Sequence, residues 1–301
     1  MHTHAHDIHG RRLWYAVVIN LALTAVQVVA GVLSGSLALI ADALHNFSDA
    51  ASLVLAYVAR RIARRPADER MTFGYGKAEG IAALINFTTL ILIGFFLVGE
   101  ALARLWSPEP VHGWTMVAVA AVALVVDAGT AWLTHTGARH SLNLKAAFLH
   151  NLADALASVG VIVAGVLVLV LDWRLADPIV TLGIAGFVLY HGVGEIGAAI
   201  RALMLATPKG LSVRATVAAM ERVDGVCGVH HVHLWAIDER RSTLEAHVVT
   251  DRDEARDLER IKRELKGLLA REFGIGHSTL EFEYQQVEGE CGGMRGCQGC
   301  P

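Results

Sequence analysis

Hydrophobic positions gather in six stretches of the chain, at about residues 13–34, 36–59, 78–105, 113–135, 146–171 and 177–200. Each is close to the roughly 20 residues a helix needs to cross the hydrocarbon core of a bilayer. The pattern therefore predicts six transmembrane helices. The polar intervals between them alternate in charge. Arg11 and Arg12 precede the first stretch, Arg60, Arg61, Arg64, Arg65, Arg70 and Lys77 fill the second interval, and Arg139 and Lys145 lie in the fourth. The first interval (Ser34-Gly35-Ser36) and the third (107–113) carry no Lys or Arg, and the fifth has only Arg174. Because cationic loops stay on the cytoplasmic side, both termini are expected in the cytoplasm.

From Pro208 the pattern changes to that of a small water-facing domain. Residues 211–222 suit a short helix. Residues 226–237 and 242–250 read as strands around the polar turn Asp238-Glu239-Arg240-Arg241. Residues 252–272 set Leu258, Ile261, Leu265, Leu268 and Leu269 at helical spacing, and 279–284 alternates like a last strand. The order α-β-β-α-β predicts a compact ferredoxin-like α+β layer. The expected architecture is thus an all-α, six-helix membrane bundle followed by a C-terminal cytoplasmic α+β domain. Its divisions fall at 1–12 (a His-rich terminus), 13–206 (the bundle), 207–287 (the α+β domain) and 288–301 (a Cys-rich tail).

Composition sharpens this division. The chain of 301 residues is 54% apolar, with a mean hydropathy of +0.45, high for a soluble protein. More than half of its 26 basic and 29 acidic residues follow Thr207. The net charge of −3 gives no reason to expect a nucleic-acid partner, whereas the apolar stretches require membrane lipid. No cleavable signal peptide is visible, because the first nine residues are polar and the first apolar run is long enough to span. His2, His4, His6 and His9 form a metal-attracting tract, or else a plain polar terminus. Of the four cysteines, Cys291, Cys297 and Cys300 cluster in the tail away from Cys227. This fits metal binding or redox chemistry better than a disulfide framework.

The candidate chemistry lies within the membrane stretches. Leu44-His45-Asn46-Phe47-Ser48-Asp49 is nearly repeated as Leu149-His150-Asn151-Leu152-Ala153-Asp154. Aligning 43–54 with 148–159 matches both His, both Asn and both Asp. His and Asp at i and i+4 share a helix face, so two such helices facing each other supply two imidazoles and two carboxylates. That is a four-ligand set suited to tetrahedral Zn²⁺. A structural reading, with the pairs as hydrogen bonds between packed helices, accounts for one pair better than for two matched ones. Asp42 lies on the face of His45 as a relay or entry carboxylate. Asp127, in the fourth stretch, is a proton carrier or an outer ligand. Ionisable groups at this depth are costly and normally functional. Imidazole and carboxylate must lose a proton to bind metal, so a site exposed alternately to the two sides would exchange cytoplasmic Zn²⁺ for external protons. Donor type separates Zn²⁺ only weakly from Co²⁺, Fe²⁺ or Cd²⁺.

These residues, with Phe73-Gly74-Tyr75-Gly76-Lys77-Ala78-Glu79 and His231-Val232-His233-Leu234-Trp235, resemble the cation diffusion facilitators, and within them the zinc-type branch. The likeness covers about residues 12–286. It implies a homodimeric metal/proton antiporter whose transport site falls on His45, Asp49, His150 and Asp154. Relatives with Asp at the first His position have a broader metal choice, so His45 favours zinc. The resemblance also implies that 207–287 binds regulatory metal and dimerises, with His247, His277 and Glu283 at the positions of cytoplasmic ligands. Cys297 and Cys300 match a Cys-x-x-Cys tail that joins a neighbour's N-terminal His in binding zinc.

Departures from the family pattern are equally legible. Met71 and Tyr75 stand where some relatives place the His of a second loop site, with only Asp68 kept. Lys77 lacks the Asp partner of the sixth stretch, and Asp127 replaces a common Asn. A bacterial inner membrane is the expected location. Two other function classes compete. An intramembrane metalloenzyme would need a base-plus-ligand motif such as His-Glu-x-x-His, which the sequence lacks. A metal sensor would leave the two matched intramembrane pairs unexplained.

Overall fold

The computed structural model describes residues 21–138, 142–238 and 241–284. The expectations placed on His2, His4, His6 and His9 and on Cys297 and Cys300 lie outside these residues. The chain forms two compact units. One comprises the chain up to Tyr57 with Ala83–Ile196, the other Val58–Ala82 with the chain from Gly197 onward.

In the first unit, helix α1 is described over Leu21–Ser34. Helices α2 (Leu37–Ala63), α3 (Ala78–Trp106), α4 (Gly113–Ala138), α5 (Leu142–Leu171) and α6 (Ala176–Leu203) follow. Helices α3 to α6 each contain a segment long and apolar enough to cross a membrane. Helix α2, at 27 residues, is about 40 Å long but carries Asp42, His45 and Asp49. These polar groups, with Asn46 and Ser48, turn inward, whereas Leu53, Val54 and Tyr57 on the same helix face outward. Outward-facing Leu92, Phe95, Phe96, Val125 and Val170 complete an apolar exterior that suits lipid rather than water.

Small residues set the helix approaches. At the start of α4, a Cβ on Gly113 would stand 2.7 Å from the carbonyl oxygen of Gly165 in α5, so these two backbones touch where no side chain fits. Gly35, with φ +70, makes the turn between α1 and α2. The free amides of the first α2 turn are met in trans. Leu37 N–H and Ala38 N–H donate to the Asp177 carboxylate at 2.9 and 3.1 Å, and Ser36 Oγ donates at 2.6 Å. A fully buried carboxylate at the start of α6 thereby caps α2 and complements its dipole. Arg104 Nη1 lies 3.9 Å from the same carboxylate and donates to Gly35 O at 2.5 Å.

The second unit holds α7 (Val213–Met220), β1 (Gly228–Ala236), β2 (Ser242–Thr250), α8 (Ala255–Phe273) and β3 (Ile275–Tyr284). Strands β1 and β2 pair antiparallel, and β2 pairs with β3 in parallel, which requires the crossover that α8 supplies. Ser212 Oγ caps α7 by accepting from Ala215 N–H. Gly274 ends α8 in the left-handed region, φ 66. Ile261, Leu265 and Leu269 recur at i, i+4 and i+8 and are fully buried against Leu234, Leu244, Val248 and Ile275. Each such side chain contributes about 1.5–3 kcal/mol by leaving water. The α-β-β-α-β order read from the sequence is present, with β3 starting four residues earlier than its alternation suggested.

Residues 58–82 belong to this second unit. Within it Lys77 Nζ donates to Ala202 O at 3.0 Å, at the C-terminal end of α6. A backbone carbonyl thus takes the place of the missing Asp, and a cation there matches the helix dipole. Gly76 sits so close to the turn after β1 that a Cβ would meet the Asp238 Cβ at 2.6 Å. Phe73 and His277 meet edge to face, centroids 6.1 Å apart.

Candidate metal-transport site

The matched segments put His45 and Asp49 on one face of α2, and His150 and Asp154 on one face of α5. In the folded chain those faces oppose each other. His45 Nε2 lies 3.2 Å from Asp154 Oδ1 and 3.7 Å from Asp49 Oδ2, while His150 Nε2 lies 3.3 Å from Asp49 Oδ2 and 3.5 Å from Asp154 Oδ2. One ligand atom from each residue falls within 4.8 Å of all the others. Ligands about 2.0–2.1 Å from a tetrahedral Zn²⁺ are about 3.3–3.4 Å apart, so each imidazole already stands near that distance from an oxygen of both acids, Asp154 turning Oδ1 to His45 and Oδ2 to His150. The set is unevenly enclosed. The side chains of His45 and Asp154 are 10% and 6% exposed, those of Asp49 and His150 30% and 48%. His150 and Asp49 form its more open side.

Behind the closed edge runs a polar network that the sequence reading only half found. Gln27 Nε2 donates to Asp42 Oδ2 at 2.6 Å, and Asn46 Nδ2 donates to Gln27 Oε1 at 3.2 Å. Asp42 and Gln27 are wholly buried. Asp42 Oδ1 has no hydrogen-bond partner among the described residues. Asp127 is also buried and accepts from Ser158 Oγ of α5 at 3.4 Å. The signal for Gln27 was available, since it is the sole amide side chain in Leu21–Ser34.

Residues 13–204 match the cation efflux transmembrane domain, and residues 208–285 match the cytoplasmic domain of cation efflux proteins. The chain belongs to the cation efflux family. It is an integral membrane protein of the zinc-type branch. It is 38% identical to the zinc transporter ZitB of Pectobacterium atrosepticum over 95% of this chain and 89% of that protein. It is 35% identical to ZitB of Escherichia coli over 96% and 94%. The cadmium, cobalt and zinc/H(+)-K(+) antiporter of Bacillus subtilis is 32% identical over 94% and 91%.

The cytoplasmic part of this cation efflux protein carries a second group of metal-type donors, His230, His247 and Glu283. Each oxygen of Glu283 meets one imidazole: Oε2 lies 2.9 Å from His230 Nε2, and Oε1 2.5 Å from His247 Nδ1. Those contacts, that with His247 the stronger, hold the Glu283 carboxyl below its usual range. His247 and Glu283 were expected together; His230 was not among the expected ligands. His277, expected with them, pairs in register with Thr243 instead. It precedes Glu283 by six residues, or about 20 Å of strand, and its ring faces Phe73. In the α2–α3 loop, Asp68 accepts from Tyr75 Oη and from the Arg70 and Met71 amides. Led by the Tyr75 bond, these lower its carboxyl pKa. Tyr75 thus fills with a hydrogen bond a place where some relatives carry a metal-binding His.

Proposed function

We propose that this chain is a secondary transporter that exports Zn²⁺ from the cytoplasm in exchange for protons, carrying the ion on His45, Asp49, His150 and Asp154. The observation that supports this most directly is the convergence of two N and two O donors, from two helices, at tetrahedral spacing. Neutral imidazole and carboxylate bind the ion, and the same atoms take protons when it leaves. Binding and release are therefore one exchange, driven outward for metal by an inward proton gradient. Names of the relatives agree on zinc, and one includes protons as counter-ion. That relative also includes cadmium and cobalt in its name, which supports a second reading in which Co²⁺ or Cd²⁺ shares the site.

Asp42 and Asp127 act as accessory carboxylates that hold protons beside the site without touching the ion. The protein is a transporter and not an enzyme: a catalytic zinc keeps an open coordination position, and here all four are supplied. Residues 208–285 are the dimerisation part, with His230, His247 and Glu283 as a regulatory zinc site. The Arg-rich second interval and the basic fourth, with Arg11 and Arg12 ahead of the first stretch, support a topology with both termini in the cytoplasm, and a bacterial inner membrane is the proposed setting. The deciding experiment is uptake of radioactive zinc into inverted proteoliposomes with an acid interior. Uptake that follows the pH gradient and vanishes in Asp154→Ala is expected. Uptake indifferent to the gradient would remove proton coupling, and uptake of Co²⁺ but not Zn²⁺ would change the cargo.

A further inference from the structure

Helix α2, which carries half of the transport site, ends in an arginine-rich turn that the transport chemistry leaves unused. Leu53, Tyr57, Arg60, Arg61 and Arg64 follow one another at helical spacing, so they share one stripe of α2. Arg64 N–H donates to Arg60 O at 3.2 Å, which carries the helical turn past Ala63. Every member of this stripe is exposed. The outward face of α2 therefore passes from apolar side chains to guanidinium within about two turns, with Tyr57 at the change. Apolar, aromatic, then cationic is the order a helix shows on leaving hydrocarbon for the headgroup layer.

Arg65 and Arg70 extend the patch into the following loop, which is folded. Asp68 holds the Arg70 and Met71 amides at 2.9 and 2.8 Å, and Arg65 Cζ stands 5.9 Å from the centre of the Tyr75 ring. Among the described residues, none of Arg60, Arg61, Arg64, Arg65 and Arg70 pairs with a carboxylate. Arg104, Arg174, Arg241 and Arg260 each do. Setting topology asks only for positive charge, which Lys supplies as well. All five here are Arg, whose planar fork bonds two phosphate oxygens at once.

We propose that this turn is a docking surface for the headgroups of anionic phospholipids, with Arg60, Arg61, Arg64 and Arg65 on the phosphate and the acyl chains along Leu53 and Tyr57. Bilayer lipid is the occupant because the patch continues the lipid-facing stripe of the same helix. Lipid held there fixes the depth of α2, and with it His45 and Asp49, in the membrane. The inference uses the membrane-spanning helix alone and stands whatever ion the site carries.

The test places the full chain in phosphatidylcholine vesicles with a trace of phosphatidylglycerol or phosphatidylcholine spin-labelled on the acyl chain. Electron paramagnetic resonance separates probe held against the protein from probe in the bulk. Wild type is expected to hold phosphatidylglycerol at least about fivefold more strongly than phosphatidylcholine, the value of one basic residue beside an anionic surface. Arg60→Gln/Arg61→Gln/Arg64→Gln/Arg65→Gln should lose that preference, and Arg252→Gln/Arg260→Gln should keep it. In the wild type it should fade between about 0.1 M and about 1 M salt, as the screening length falls from about 10 to about 3 Å. A preference that survives the fourfold substitution or the high salt overturns the proposal and leaves the arginines as a topology signal. Equal loss in the Arg252/Arg260 variant overturns it in favour of overall charge. Release of the probe by inorganic phosphate beyond that by chloride at equal ionic strength overturns it in favour of a soluble anion.

Discussion

The intramembrane and cytoplasmic donor groups use almost the same chemistry in opposite settings. Both combine imidazole with carboxylate at close range. The first is strung between two long helices, sealed on one edge and open on the other. The second lies along adjacent strands whose backbone ladders fix the spacing, and its members are all partly exposed. A carboxylate and imidazole that must release metal need freedom to separate, and donors fixed on paired strands have less of it. On the proposed assignment, the supporting elements, more than the donors, would distinguish a carrier site from a regulatory one.

The sharpest way to break this comparison is Asp154→Ala. It removes a carboxylate whose two oxygens face His45 and His150 in turn, and zinc flux should fall at least about a hundredfold. Flux that survives would move the cargo elsewhere. His45→Asp keeps four donors but hardens the set, so transport should persist while Co²⁺ or Fe²⁺ competes with Zn²⁺ more strongly in a mixed-metal flux assay. Asp42→Asn keeps the volume and the bond to Gln27 within reach. It should weaken the dependence of flux on the pH gradient and leave zinc affinity within about threefold, for a group outside direct contact with the ion. His230→Gln with Glu283→Gln should raise the free zinc needed for half-maximal flux, with the maximal rate retained. Abolished flux would erase the distinction between carrier and sensor.

The smallest effect concerns pH. The Glu283 carboxyl titrates below its ordinary value, so its contribution to the cytoplasmic fold is present above about pH 4. That contribution is lost only as pH falls through the lowered folded value. Between pH 7 and 5 it stays ionised. Circular dichroism of the full chain stepped from pH 7 to pH 5 should therefore show the strand signal of this domain unchanged, and a loss within that window would contradict a lowered Glu283.

Much of this was legible from sequence because it is local or periodic. The His-Asn-x-x-Asp repeat fixes one face of α2 and one of α5, and two faces carrying complementary donors have a reason to meet. Alternating loop charge and long apolar runs speak for the bundle, and the spacing of Ile261, Leu265 and Leu269 for α8. What the sequence hid depends on partners remote in the chain or without a side-chain signature. Asp177 caps a helix 140 residues away. Lys77 is answered by a backbone carbonyl, which no residue type announces. His230 joins His247 and Glu283 while its neighbour His231 turns in a bulge that strict alternation cannot foresee. His277 carries the right donor in the wrong part of β3.

The Asp177 cap has a mechanical consequence. A carboxylate rooted in α6 and bonded to three donors at the head of α2 rivets those two helices at that end. Gly113 and Gly165 leave α4 and α5 in direct backbone contact, so those two are zipped as well. On the proposed function, a cargo ion held by α2 and α5 would be a removable pin between two prefabricated pairs. Inserting it would join them, and replacing it with protons would unpin them. The quickest reading of that pin would be a spectroscopic ruler between the pairs, shortened by zinc and relaxed by acid.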